Sequence, residues 1–314
     1  MWRFQIIEIW AKHMRGEAVV AEHLAKRYGN GVWGATDITF TVMEGTITVL
    51  MGPNGAGKTT TVGMLSTILK PTMGIGIVGG YDIVKQPREV RRIIALCPQD
   101  IRIDPNWTPL EAVIGYLWIR GQSISDARIN AKKWLEDLEL WDIRNRPAYS
   151  LSGGQRKRIA VAMVLASDAQ IIFLDEPTSG LDVEAKQRVW RSLREAVKNG
   201  KTILLTTHDM SEAETVSDKL IFIHRGKVVA EGTVADIRAK IPYHYKVVIK
   251  KPHTNYSFNY RVRTLGDTVI VYTQSYREAL DLVSRIHAES ISIQSVTLED
   301  VYLFLVEKIR GGEI

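Results

Sequence analysis

Residues 52–60, Gly52-Pro53-Asn54-Gly55-Ala56-Gly57-Lys58-Thr59-Thr60, hold glycines, a lysine and a hydroxyl at the G-x-x-x-x-G-K-[ST] spacing of a phosphate-binding loop. Glycines let successive backbone N–H groups converge on a phosphate with no side chain in the way. Lys58 supplies a cation for the outer phosphates, and the Thr59 hydroxyl is placed to ligate Mg²⁺. Farther along, Ile171 to Leu174 are four apolar residues running into Asp175 and Glu176. That pattern predicts a buried strand with its acids at the carboxyl end, where open α/β sheets bind ligands. Asp175 suits a Mg²⁺ ion shared with Thr59, and Glu176 suits positioning and deprotonating an attacking water. His208 closes a second apolar strand, Thr202 to Thr207, and can hydrogen-bond a γ-phosphate or orient the water. Gln99 follows the strand Ile93 to Leu96. An uncharged amide there can ligate Mg²⁺ or the water and can sense the phosphate.

The elements that must hold these groups are legible around them. Thr46 to Leu50 is rich in β-branched residues and predicts a strand ahead of the glycine loop. Thr61 to Leu69 predicts a helix after it, with Val62, Leu65 and Leu69 on one face. Strand, glycine loop and helix N-terminus together form an anion site. Val19 to Ala21, Thr36 to Val42 and Gly76 to Gly80 predict further strands. Residues 105–166 turn helical, with Ala131, Trp134, Leu135 and Leu138 in phase. Within them Ser152, three residues before Gln155, forms a capping-box pattern, and Gly153 and Gly154 leave N–H groups unshielded at a helix start. A helix with Val189, Leu193, Ala196 and Val197 in phase separates the two acid- and histidine-bearing strands. The strand pair around Arg225-Gly226-Lys227 closes a first domain, 17–240, with its helical part near 100–166.

Residues 243–314 predict a second, smaller unit. Strands at Lys246–Lys250, Ser257–Arg263, Thr268–Thr273 and Ser290–Val296 accompany a helix from Ser275 to about Ala288 and a last helix capped by Thr297. That order suggests a small α+β sandwich. Residues 1–16 stand apart, with Trp2, Ile6, Ile9 and Trp10 able to share a helical face.

Composition bounds the function classes. The chain has 314 residues, 45% hydrophobic and 24% charged, an ordinary globular balance sufficient for roughly two domains. No run reaches the roughly 18 apolar residues of a spanning helix. Glu8 interrupts what would be the apolar part of a signal peptide. Cys97 is the sole cysteine, so no intrachain disulfide forms, which favours a cytosolic setting. The net charge of +6 permits nucleic acid or an anionic membrane as partner and selects neither. The seven histidines lack metal-ligand spacing.

GPNGAGKTT at 52–60, Gln99, LSGGQ at 151–155, IIFLDEP at 171–177, SGLD at 179–182 and His208 occur in the order found in ABC-type ATPases. The chain resembles that family over about residues 17–235, and LSGGQ is its most specific mark. The remainder, with Thr297-Leu298-Glu299-Asp300-Val301-Tyr302, resembles the C-terminal extension of drug-exporter and sodium-exporter type ABC subunits.

The resemblance implies an α/β P-loop NTPase fold, a RecA-like core with antiparallel β and helical subdomains. It implies ATP and Mg²⁺ as cofactors. Tyr28 would stack on adenine, and Gly52 to Thr60, including Asn54, Gly55 and Gly57, would wrap the phosphates. Glu176 would be the catalytic base, His208 the γ-phosphate clamp, and Gln99 the coupling group between the Mg²⁺ site and a membrane partner. Ser152, Gly153, Gly154 and Gln155 would close on ATP held by a second copy, with Asp182 at the subunit interface. The implied protein is the ATPase subunit of a membrane exporter, a homodimer on the inner face of the cell membrane beside a separate multi-spanning permease. Nucleic acid is not an expected partner. Trp107, Tyr116, Leu117 and Trp118 are the candidate permease contacts. The competing readings are a ribosome- or nucleic-acid-directed ABC ATPase, an importer subunit, and a regulatory ATP-binding module without turnover.

Overall fold

The structure is a computed structural model that describes residues 16–252 and 258–311. The proposed N-terminal face of Trp2, Ile6, Ile9 and Trp10 lies outside them, as does Ser257. The chain divides into two compact units after Thr233.

The first unit is built on one ten-stranded sheet. In chain order its strands are β1 (Glu17–Arg27), β2 (Trp33–Met43), β3 (Ile47–Met51), β4 (Met73–Val78), β5 (Tyr81–Asp82), β6 (Ile94–Cys97), β7 (Ile171–Asp175), β8 (Thr202–Thr207), β9 (Lys219–His224) and β10 (Lys227–Gly232). In space they run β5-β4-β1-β2-β10-β9-β3-β8-β7-β6. The stretch β9-β3-β8-β7-β6 is parallel throughout, whereas β5-β4-β1-β2 is antiparallel. Every residue of β3, β7 and β8 is buried. Parallel strands covered on both faces lose the polar alternation of a half-solvated sheet, which is why these three carry only apolar and β-branched residues up to Asp175.

Helices α1 (Lys58–Leu65) and α2 (Pro87–Ile93) follow β3 and β5. Helix α1 starts at Lys58, three residues earlier than its sequence pattern indicates, because Gly57 in a left-handed turn (φ 107°) points the chain into the helix at once. It also ends sooner. Ser66 and Thr67 (φ 66°) break the turn, and Leu69 returns its N–H to the Gly63 carbonyl at 2.8 Å.

Between β6 and β7 lie α3 (Pro109–Ile119), α4 (Ile124–Asp137) and α5 (Gly153–Ala166), packed on one another. Ala131, Trp134, Leu135 and Leu138 are all buried, as their phase predicts. Helix α6 (Val183–Lys198) buries Ala185, Val189, Leu193 and Ala196 on one face, and α7 (Met210–Val216) follows β8. Burying each such Leu contributes roughly 1.5–3 kcal/mol.

The second unit carries β11 (Tyr245–Pro252), β12 (Arg261–Leu265), β13 (Thr268–Thr273) and β14 (Ala288–Ser295) in the antiparallel order β12-β13-β11-β14. Helices α8 (Val234–Arg238), α9 (Tyr276–Val283) and α10 (Leu298–Gly311) complete it. Val247, Ile249, Val271, Ala279 and Leu282 form its core. Helix α9 stops at Val283, well short of Ala288, which opens β14 instead. Asp300, early in α10, is buried and accepts from Lys246 Nζ at 2.6 Å and Tyr272 Oη at 2.8 Å.

Candidate functional site

Four adjacent parallel strands bring the chemistry together. In the order β3-β8-β7-β6, their carboxyl ends lead respectively into the glycine loop, His208, Glu176 and Gln99. Residues scattered over 150 positions of sequence thus line one edge of the sheet, the position at which open α/β sheets bind ligands. The cleft there has a volume of 620 Å³. It is lined by Asn54, Gly55, Gly57, Lys58, Thr59 and Thr60 of the glycine loop, by Gln99, Glu176 and His208, and by Val32, Trp33 and Gly34.

The glycine loop is tightly enclosed. A Cβ at Gly52 would stand 2.3 Å from the Ile223 carbonyl oxygen, and one at Gly57 would stand 2.6 Å from that of Gly34. The backbone itself therefore forms the cradle, as close approach to a phosphate requires. Lys58 is 5% exposed, and its Nζ donates to the carbonyls of Gly52 (2.8 Å) and Pro53 (3.2 Å). Burial lowers the pKa of its ammonium, and Glu176 and Asp175 oppose that shift. Both acids lie close enough to be felt, with Glu176 Oε1 at 3.8 Å.

Asp175 and Glu176 are neighbours that a regular strand would send to opposite faces. Glu176 escapes this by adopting φ 49°, a left-handed conformation that costs a non-glycine residue on the order of 1–3 kcal/mol. Thr206 on β8 holds it there. The Glu176 N–H donates to Thr206 O (3.2 Å) and Oγ1 (3.0 Å), while the same hydroxyl donates to Asp175 Oδ1. The Glu176 carboxylate then accepts from His208 Nδ1 at 3.0 Å and Gln99 Nε2 at 3.4 Å. With Nδ1 as the donor, the other imidazole nitrogen is left to face a ligand.

Beneath this site lies a buried carboxylate that the sequence pattern did not single out. Glu212, on the first turn of α7, is 1% exposed. It accepts from Thr178 Oγ1 (2.5 Å), Thr207 Oγ1 (2.6 Å) and Trp190 Nε1 (2.9 Å). Asp209 caps the same helix and accepts from Lys186 Nζ at 2.7 Å. Burial would raise the Asp209 carboxyl, but Lys186, Ser211 and the Glu212 N–H outweigh it and hold it well below the usual range. Only the position of Glu212 four residues past His208, on the turn that follows it, hints at this role in the sequence. Trp33 and Val32 also line the cleft without having been marked by any motif, and so does Ser179, the first residue of the SGLD segment.

Other marked residues lie outside the cleft lining. Tyr28, just past β1, donates or accepts through its hydroxyl at 3.1 Å from Thr60 Oγ1, and its ring edge abuts Gly34. The aromatic group on the cleft wall is Trp33. Asp182 caps α6, accepting from Ala185 N at 2.8 Å. Ser152 and Gln155 close the reciprocal capping box that their spacing predicts, at 3.1 and 2.9 Å. None of Ser152 to Gln155 lines the cleft. Of the candidate permease contacts, Trp107 and Trp118 are exposed, but Leu117 is fully buried and belongs to the core. It lies on the face of α3 that packs against α4 and α5, so it cannot meet a partner.

The ABC transporter family model matches residues 35–179. The daunorubicin resistance ATP-binding protein of Streptomyces coeruleorubidus is 35% identical over 93% of this chain and 96% of its own length. The doxorubicin resistance ATP-binding protein of Mycobacterium tuberculosis is 40% identical over 70% of this chain and 67% of its own. Among solved structures, an ATP-binding subunit of an ABC transporter superposes with a TM-score of 0.66 at 26% identity, covering 71% of this chain and 92% of that one. A dimeric ATP-binding cassette in a post-hydrolysis state with ADP and Pi gives a TM-score of 0.64 at 28% identity, over 69% of this chain and 98% of that one. The glycine loop, Glu176 and His208 at one sheet edge, together with these matches, establish that the chain belongs to the ABC transporter family as an ATP-binding subunit.

Proposed function

We propose that the protein hydrolyses ATP to power a membrane exporter, working as a dimer that encloses two nucleotides and drives a separate transmembrane subunit. One observation carries the dimer: the cleft contains the phosphate loop, Glu176 and His208, whereas the N–H groups at the start of α5 lie outside its lining. The capping box takes up the Ser152 and Gln155 N–H groups and leaves those of Gly153 and Gly154 to form an anion site, for which a second copy's cleft supplies the anion. The relatives named for drug resistance support the exporter, and the dimeric cassette with ADP and Pi supports both hydrolysis and dimerisation. Among the described residues no helix is long and apolar enough to cross a membrane, and this reading assigns the spanning part to a separate subunit. Placement on the inner membrane face follows from that partner.

In this reading the loop N–H groups and Lys58 bind the β- and γ-phosphates, and Lys58 exchanges its two carbonyl acceptors for phosphate oxygens. Glu176 takes a proton from the attacking water, and His208 holds the γ-phosphate by donating from the nitrogen not bonded to Glu176, which requires the doubly protonated ring in which both nitrogens are donors. Trp33, which lines the cleft, is the aromatic group available to adenine, and Tyr28 stands outside that lining with its hydroxyl at Thr60. Thr59, Asp175 and Gln99 are the groups that would hold Mg²⁺. All three are oxygen donors, and so few protein ligands suit an ion that keeps most of its waters and binds phosphate oxygens. When bound, the ion neutralises charge on the transferring group.

The test is complementation. A Cβ at Gly153 meets nothing within 4 Å, so Gly153→Asp folds and places a negative charge at the lid. Lys58→Ala disables the loop. Each variant alone is inactive. Mixed, a dimer with one chain of each kind keeps one intact site, and ATP turnover returns. No recovery in mixtures shown to exchange subunits would exclude the shared site.

A further inference from the structure

The hydrogen bonds of Glu212 run to both sides of the reaction centre. Thr178 is two residues past Glu176, and Thr207 immediately precedes His208. Both hydroxyls donate to the one carboxylate, Thr178 to Oε1 and Thr207 to Oε2. All three residues are buried, at 1% to 3% exposure. Thr207 Oγ1 also accepts the Asp209 N–H at 3.0 Å, which fixes its proton toward Glu212. The third donor, Trp190 Nε1, comes from α6 and belongs to neither loop. A buried carboxylate with no cationic partner among these donors is costly to desolvate, and a well-packed apolar side chain would serve stability alone at least as well. What the carboxylate provides that an apolar group cannot is a two-armed tether of fixed length.

We propose that Glu212 is a positioning residue of the hydrolytic site, tethering the loop after Glu176 to the residue before His208 so that base and clamp keep their 3.0 Å contact. The inference rests on the ATPase reading above and deepens it. Glu212 is buried and does not line the cleft. Its effect is geometric. Without the tether, the left-handed turn at Glu176 relaxes and His208 loses its aim. Misplacement by about 1 Å costs on the order of 100-fold in rate.

The experiment cuts each arm separately in the full chain. Thr178→Ala and Thr207→Val each remove one donor, Thr178→Ser restores the hydroxyl, and Trp190→Phe removes the donor that reaches neither loop. Thermal midpoint, equilibrium ATP affinity and steady-state hydrolysis are measured for all four. The expected result is a fall in kcat on the order of 10- to 100-fold for Thr178→Ala and Thr207→Val, with ATP affinity and KM within about twofold of wild type. Thr178→Ser recovers kcat, and Trp190→Phe keeps it despite a lower thermal midpoint. A kcat loss in Trp190→Phe equal to that of the threonine variants, or kcat tracking the thermal midpoint across all four, would reduce Glu212 to a stabilising group and overturn the proposal. Glu176→Gln is measured beside them and must be inactive. Turnover by that variant would remove the base itself, a failure of the site assignment distinct from failure of the tether.

Discussion

His208 Nδ1 lies 3.0 Å from Glu176 Oε1, although 31 residues and a full helix separate the two in the chain. The contact orients the imidazole and the carboxylate together. Replacing Glu176 by Gln keeps the shape of this contact and removes the proton acceptor. Turnover is expected to fall about 10²–10⁴-fold while MgATP still binds. With the nucleotide uncleaved, the variant elutes from size exclusion as a dimer in MgATP, and a monomer there would count against the enclosed-nucleotide state.

Gly57 tests the loop's backbone. Its φ of 107° and the Gly34 carbonyl 2.6 Å from a would-be Cβ leave no room for a side chain. Gly57→Ala is expected to cost about 1–3 kcal/mol of stability through strain and to lose ATP binding as the cradle opens. Gly153→Ala, where a Cβ meets open space, leaves the thermal midpoint nearly unchanged. Calorimetry of the pair separates strain from loss of flexibility.

Cys97 reports on the sheet end that carries Gln99. Burial pushes its thiol from 9.0 up to about 12, so the neutral form persists across the physiological range. In the folded chain the thiol is expected to resist a maleimide at pH 8 and to react once the chain unfolds. The sign of the linkage follows. Between pH 9 and about 12 the folded state holds a proton that the unfolded state has lost, so this group's contribution is present below 9 and fades as pH rises through that window. Titrating denaturant midpoints of wild type against Cys97→Ala over pH 8–11 isolates it. A parallel fall in both would remove Cys97 as the cause.

The sequence by itself determined the groups whose geometry is local. Gly52 to Thr60 form a cradle because glycine φ values and a helix start are properties of neighbouring residues. Ser152 and Gln155 cap α5 because a capping box spans four positions. The apolar run Ile171 to Leu174 and the apolar, β-branched stretch Thr202 to Thr207 announced the buried strands β7 and β8. Tertiary structure alone decided the rest. The strand order β3-β8-β7-β6 depends on crossovers that no local pattern encodes, and it places Lys58, His208, Glu176 and Gln99 side by side. The turn at Glu176 needs Thr206 from another strand, and the burial of Glu212 needs Thr178, Thr207 and Trp190 from three separate elements. A solvated glutamate and a buried one are spelled the same way, and only long-range packing, by removing water and supplying three donors, distinguishes them.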